Sequence, residues 1–312
     1  MKKYFFILTF SLSFIFSAFA QIRQGEITHD GYVRTWLTYL PKNYSEAKTY
    51  PLVIALHGGG GTAKQLMTST KKRFNTLADT EGFIVVYPQG VKKSWNDNNK
   101  RDQNGFARKE NIDDVGFISK MISKLQSEYN INDDAVFACG ISNGGLMSQT
   151  LAMELPEKIK IIGMVAATFG KDEVDKVADV SPFSILFIHG TKDPIIPYAE
   201  GDITVFKKTR GHVLGIEKSI AYMCSLNGNS LVPIITKLAN ISVKDNMTSE
   251  HFKYPNPENP SLKVELIKVT NGGHSWPGAK KKKRLLRKVT GATTQDFNAC
   301  DKLWEFFKST MN

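Results

Sequence analysis

The chain has 312 residues and 41 % apolar content, with 41 Lys and Arg against 30 Asp and Glu, a net charge of +11. That is enough chain for one large domain with a sizeable core, and its basic balance favours anionic surfaces or polymers without specifying a fold. Three cysteines exclude a disulfide scaffold, since at most one intramolecular bond can form, and none has zinc-site spacing.

The first residues read as an export leader. Lys2 and Lys3 precede an apolar run from Tyr4 to Phe16, and Ser17-Ala18-Phe19-Ala20 ends in a small-x-small cleavage pattern. The run is shorter than the roughly 20 residues that span a bilayer. Residues 1–20 are therefore expected to be a signal peptide, and residues 21–312 a single exported domain with no membrane span. Next, Gln24–His29 and Tyr32–Leu40 read as strands joined by Asp30-Gly31, a dipeptide suited to a tight hairpin. Apolar runs at 51–56, 83–87, 135–139, 161–166, 183–188 and 262–269 follow. They are nearly continuous rather than alternating, as in strands covered by helices on both faces. Ile118, Met121, Ile122, Leu125 and Tyr129 fall at helical spacing, with Asp113 or Asp114 as cap. Gln295–Thr310 reads as a terminal helix. The alternation predicts an α/β fold, a mostly parallel sheet with helices on both faces and an N-terminal antiparallel hairpin. Cys139 lies in an apolar strand and reads as a buried thiol, leaving Cys224 and Cys300 as the candidate pair.

In such sheets functional residues gather at the carboxyl ends of strands. There, Gly140-Ile141-Ser142-Asn143-Gly144 joins a strand to a helix. Small residues flank Ser142 because the turn is sharp and side chains would strike the strand and helix, and the helix N-terminus favours negative charge. A serine needs a base, and the base a carboxylate to hold its tautomer. Asp193 follows the 183–188 strand and His274 the 262–269 strand, in the chain order Ser, Asp, His. Among the other histidines, His189 reads as structural, His29 and His251 as residues of polar segments near the surface, and His212 as following a basic stretch. The glycines of His57-Gly58-Gly59-Gly60-Gly61 allow close approach of backbone to a carbonyl, so the N–H groups of Gly59 and Asn143 are the expected oxyanion donors.

Two rivals for that glycine loop fail. A dinucleotide site wants an acid at the end of the next strand, which here ends in Tyr87-Pro88-Gln89. A phosphate-binding P-loop wants Gly-Lys-Ser/Thr, where Ala63-Lys64-Gln65 stands. No metal or organic cofactor is expected.

With these residues the chain resembles the family of polyhydroxybutyrate depolymerases, feruloyl esterases and acetylxylan esterases. The resemblance rests on Leu56 to Gly61, Ser94-Trp95-Asn96, Asp113 to Ile118, the Ser142 elbow, His189-Gly190-Thr191-Lys192-Asp193 and Gly273-His274-Ser275-Trp276-Pro277-Gly278. It implies an α/β-hydrolase fold, Ser142, Asp193 and His274 as catalytic residues, and Trp95 and Trp276 as substrate contacts. The implied activity is hydrolysis of feruloyl or acetyl esters of plant polysaccharides, or of short polyesters, in the periplasm or outside the cell. The chain departs from the family at Lys280–Lys288, a basic run that offers an anionic surface a contact beside the active site. No motif suggests nucleic acid. Asn240–Pro260 and the basic run are the expected rim of the cleft. A catalytically inactive binding protein on the same scaffold and a serine peptidase are the alternatives.

Overall fold

The computed structural model describes residues 21–98, 105–170, 180–280 and 283–311; the expected leader lies outside them. The described strands are β1 (Ile22–His29), β2 (Tyr32–Tyr39), β3 (Tyr50–Leu56), β4 (Ile84–Pro88), β5 (Ile131–Ile141), β6 (Ile161–Val165), β7 (Ser184–Gly190), β8 (Gly201–Val205), β9 (Lys208–Val213), β10 (Ile234–Lys237), β11 (Thr248–Tyr254) and β12 (Val264–Thr270). The described α-helices are α1 (Ala63–Ser69), α2 (Arg73–Glu81), α3 (Phe106–Lys109), α4 (Asp114–Glu128), α5 (Asn143–Glu154), α6 (Ile216–Asn227), α7 (Arg284–Thr290) and α8 (Ala299–Ser309).

Ten strands form one sheet in the order β1-β2-β4-β3-β5-β6-β7-β12-β11-β10. The central run from β4 to β12 is parallel, and antiparallel pairs close both edges. This is the α/β-hydrolase arrangement read from the sequence. Every residue of β4 and β7 is buried, which is why those segments carry continuous apolar runs. The pleat divides β3 between two cores. Leu52, Ile54 and Leu56 face α4, α5 and α6, while Val53 and Ala55 face α1, α2 and α8. On the second face Phe137 stacks on Phe307 at 4.8 Å and Phe83 on Trp304 at 4.1 Å, ring pairs worth roughly 0.5–1.5 kcal/mol each beyond their buried area.

The local signals mostly act as expected. Asp30 and Gly31 both take positive φ (51° and 73°), the turn that matches the strand twist of a hairpin. Asp113 caps α4, its carboxylate accepting the Gly116 N–H at 2.7 Å. The terminal helix begins four residues later than its periodicity suggested, because the Asn298 side chain caps it by accepting the Cys300 N–H.

The structure corrects three expectations. All three cysteines are free and buried. Cys224 lies on α6 in one core and Cys300 on α8 in the other, so the sheet stands between them and no bond can join them. His29 is buried, paired with Asp113 at 2.8 Å, rather than near the surface. Within Asn240–Pro260, residues 248–254 form a strand paired along β12 instead of a cleft rim. Among the described residues no helix is long and apolar enough to cross a membrane.

Candidate active site

Strand β5 delivers Ser142 to the N-terminus of α5 with φ 56° and ψ −125°, a region that L-residues adopt only when their surroundings force it. The surroundings are specific. The Ser142 N–H donates to the Val165 carbonyl on neighbouring β6 at 2.9 Å. A Cβ at Gly140 would fall on the Gly144 carbonyl, and one at Gly144 on the carbonyls of Leu56 and His57. Only glycine lets β3, β5 and α5 meet this closely, and that meeting holds the hydroxyl up at the strand ends.

Asp193 lies just past β7 and His274 just past β12, adjacent parallel strands. Their loops are stitched together. The Lys192 N–H donates to the Gly272 carbonyl at 2.8 Å and the Asn271 N–H to the Thr191 hydroxyl at 2.9 Å. Asp193 Oδ2 thereby sits 2.8 Å from His274 Nδ1, while Oδ1 accepts the N–H groups of Ile195 (2.8 Å) and Ile196 (2.9 Å). Burial alone would raise the Asp193 carboxyl. The charges and hydrogen bonds of His274, with His189 and the Ile195 N–H, more than offset it and hold the group below its ordinary value. His189 packs beneath, its Nε2 3.0 Å from the Ile196 carbonyl and 3.6 Å from Asp193 Oδ2. Burial lowers its basicity and keeps it neutral, the structural role read from the sequence.

The glycine loop after β3 is positioned by His57. Its Nδ1–H donates to the Gly58 carbonyl at 2.9 Å, and its Nε2 accepts the Gly90 N–H at 3.0 Å. Burial pushes this imidazole down to about 4, so it is neutral and its two nitrogens keep these distinct roles. The Gly60 and Gly61 N–H groups are taken by Lys93 and Gly58 carbonyls. Neither the Gly59 N–H nor the N–H of Asn143, the first residue of α5, has an acceptor among the described residues, and a Cβ at Gly59 would lie 3.7 Å from that of Asn143. Two unused donors thus stand side by side next to Ser142.

Asn143 has a second task that sequence reasoning missed. Its side chain accepts the Trp95 N–H at 2.8 Å and donates to the Trp95 carbonyl and to Asp97 Oδ2. Asp97 is fully buried and pairs with Arg108, and the adjacent Asn96 N–H donates to Asp114 Oδ2, which pairs with the buried Arg34. This polar chain fixes the residue after the nucleophile. Its only trace in the sequence is the acid two places past Trp95.

Ser142, Asn143, Gly59 and His274 line one cleft of about 680 Å³. Trp95 forms part of its wall but is 1 % exposed, its indole N–H donating to the His57 carbonyl at 2.8 Å, so its main work is to hold the glycine loop. The expectation that Trp276 touches substrate is corrected: it is buried against Phe74 in the core beneath and does not line the cleft. The rim comes from the β8–β9 hairpin, through Ile203, Val205, Phe206 and Arg210, and from α7, through Leu286, Val289 and Thr290. The first five residues of α7 belong to the basic stretch, of which residues 281–282 fall outside the described residues. Among the described residues no group of His, Cys, Asp and Glu could hold a metal ion.

A strained serine at a strand–helix turn, beside a buried Asp–His pair at the ends of a parallel sheet, defines the α/β-hydrolase class. Comparison with known proteins narrows it: residues 31–181 match the family model described as "Putative esterase". The chain is 26 % identical over 262 residues to "Putative esterase NocK" of Nocardia uniformis subsp. tsuyamanensis, covering 82 % of this chain and 73 % of that protein. It is 25 % identical over 183 residues to "Probable feruloyl esterase C" of Aspergillus flavus, covering 56 % of this chain but 60 % of that one, less than two thirds of its length. The solved acetyl xylan esterase from Aspergillus awamori superposes over 92 % of this chain and 99 % of its own, with TM-score 0.58 and 15 % identity, a likeness of fold. The chain is thus similar in sequence to proteins named as esterases, probable feruloyl esterases among them.

Proposed function

We propose that the protein is a secreted serine carboxylic-ester hydrolase acting through an acyl-enzyme. The observation that carries this reading is the 2.8 Å hydrogen bond from His274 Nδ1 to a buried, ionised Asp193, in the cleft that also holds the strained Ser142. Asp193 keeps the His274 proton on Nδ1, so that Nε2 is the unprotonated nitrogen that takes the Ser142 proton as the oxygen attacks the ester carbonyl. The tetrahedral oxyanion is received by the Gly59 and Asn143 N–H groups, each worth about 3 kcal/mol in the transition state. His274 then protonates the departing alcohol, and water releases the acyl group by the same route.

The substrate class follows from the relatives: feruloyl or acetyl esters of plant polysaccharides, with short polyesters such as polyhydroxybutyrate as the further candidate. The leader at residues 1–20 supports export. Methyl ferulate, acetylated xylan and hydroxybutyrate oligomers, assayed side by side with wild type and S142A, test the reading. Turnover of at least one by wild type and of none by S142A is expected. Equal turnover by both proteins refutes it.

A further inference from the structure

The described lining of the cleft contains four cations, Lys92, Lys93, Arg108 and Arg210, and no Asp or Glu. Arg108 is committed to Asp97. Arg210 is not. Its Nε is buried without a hydrogen-bond partner, and it makes no ion pair among the described residues. The acids of its own hairpin are engaged elsewhere, Asp202 with His212 at 2.9 Å and Glu200 with Lys218 at 2.5 Å.

The backbone around Arg210 is built to present it. Asp202 pairs with His212 and Thr204 with Thr209, so Ile203 faces both Arg210 and Gly211, a β-bulge with Gly211 at φ 131°. Bulges concentrate beside active sites, where they aim one side chain. The hairpin turn is also strained. Phe206 and Lys207 take φ 48° and 63°, where glycine or asparagine is the usual choice, and Phe206 is 78 % exposed over the cleft. A buried guanidinium edge with no acid to meet it, in a cleft also lined by exposed Lys92 and Lys93, is chemistry for a carboxylate, which a planar fork binds in two-pronged fashion.

We propose that Arg210 anchors a carboxylate carried by the substrate, so that the cleft selects acidic esters over neutral ones; this rests on the esterase reading above. The carboxylate belongs either to the alcohol side, as in a uronic acid acylated on a hydroxyl, or to the acyl side, as in a dicarboxylic half-ester. Two matched pairs separate these cases: 4-acetoxybenzoate against its methyl ester, and monomethyl adipate against dimethyl adipate. The readout is the anionic-to-neutral ratio of kcat/KM within each pair. In wild type at low salt one pair favours the anionic member about tenfold or more, the size of a charge-assisted hydrogen bond. R210Q lowers that ratio by about tenfold, and R210K, which keeps the charge but not the fork, gives an intermediate value. Salt at about 1 M, with its Debye length of about 3 Å, lowers the wild-type ratio, and R210K carries the assignment to Arg210 if R210Q fails to fold. Ratios near one in both pairs, or a ratio untouched by R210Q and by salt, overturn the proposal while leaving the esterase reading intact. No turnover of any of the four esters overturns the proposal, and the esterase reading falls with it only if methyl ferulate, acetylated xylan and hydroxybutyrate oligomers are also untouched.

Discussion

Replacing Asp193 with Asn preserves the size of the side chain and removes its charge. Both carboxylate oxygens are in use, Oδ2 by His274 Nδ1 and Oδ1 by the N–H groups of Ile195 and Ile196. The amide therefore has two orientations. With its oxygen toward His274, its NH2 faces two backbone donors in a site where the side chain is wholly buried, and both of those donors lose their acceptor. With its NH2 toward His274, the backbone donors keep an oxygen, but Nδ1 must become the acceptor. The ring proton then moves to Nε2, and the nitrogen that should take the Ser142 proton is blocked. The second orientation is the less costly for folding and the damaging one for catalysis. Loss of the correct tautomer in such a unit lowers kcat by about 10⁴, about 5 kcal/mol of transition-state stabilisation. The assay is kcat on 4-nitrophenyl acetate at saturation, with the melting temperature as a control on folding. A D193N protein that folds and retains kcat within about tenfold of wild type would refute the assignment of Asp193.

Three further outcomes are expected. G144A places a methyl group on the Leu56 and His57 carbonyls and should destabilise the fold by about 3 kcal/mol in a denaturant titration, with loss of esterase activity; near-wild-type stability would contradict the tight elbow. The His57 imidazole is lowered from 6.5 to about 4, so between these values the unfolded chain binds a proton that the folded chain refuses. Its contribution is full above pH 6.5 and shrinks as pH falls to 4, by about 3 kcal/mol, and H57Q should flatten that slope; parallel slopes would refute it. The unreduced chain, unfolded in denaturant, should release three thiols to Ellman's reagent, and a single thiol would contradict the assignment of all three cysteines as free.

The sheet was legible because its central strands are buried on both faces and carry unbroken apolar runs. The segments that escaped notice are those without that signature. Strand β10 is exposed along its whole length, and β8 and β9 mix Asp202, Lys208, Arg210 and His212 with few apolar residues. Their strand character comes from pairing with neighbours that a single segment does not display. Ser142, Asp193 and His274 could be picked out because each follows a readable strand. Trp276 shared the local motif of His274 yet packs in the core against Phe74, a difference of side-chain direction that the motif does not encode. The Asn143–Asp97–Arg108 chain joins residues that lie 46 and 11 positions apart, and its partners reveal themselves only in space.

The central claim is that Ser142 is an activated nucleophile, and a fluorophosphonate probe tests it without knowledge of the natural substrate. Wild-type protein treated with the probe and analysed by peptide mass spectrometry should carry one phosphonyl group per chain, on Ser142, with labelling abolished in S142A and by prior denaturation. An unlabelled folded protein, or an adduct on another residue with Ser142 unmodified, would contradict the account.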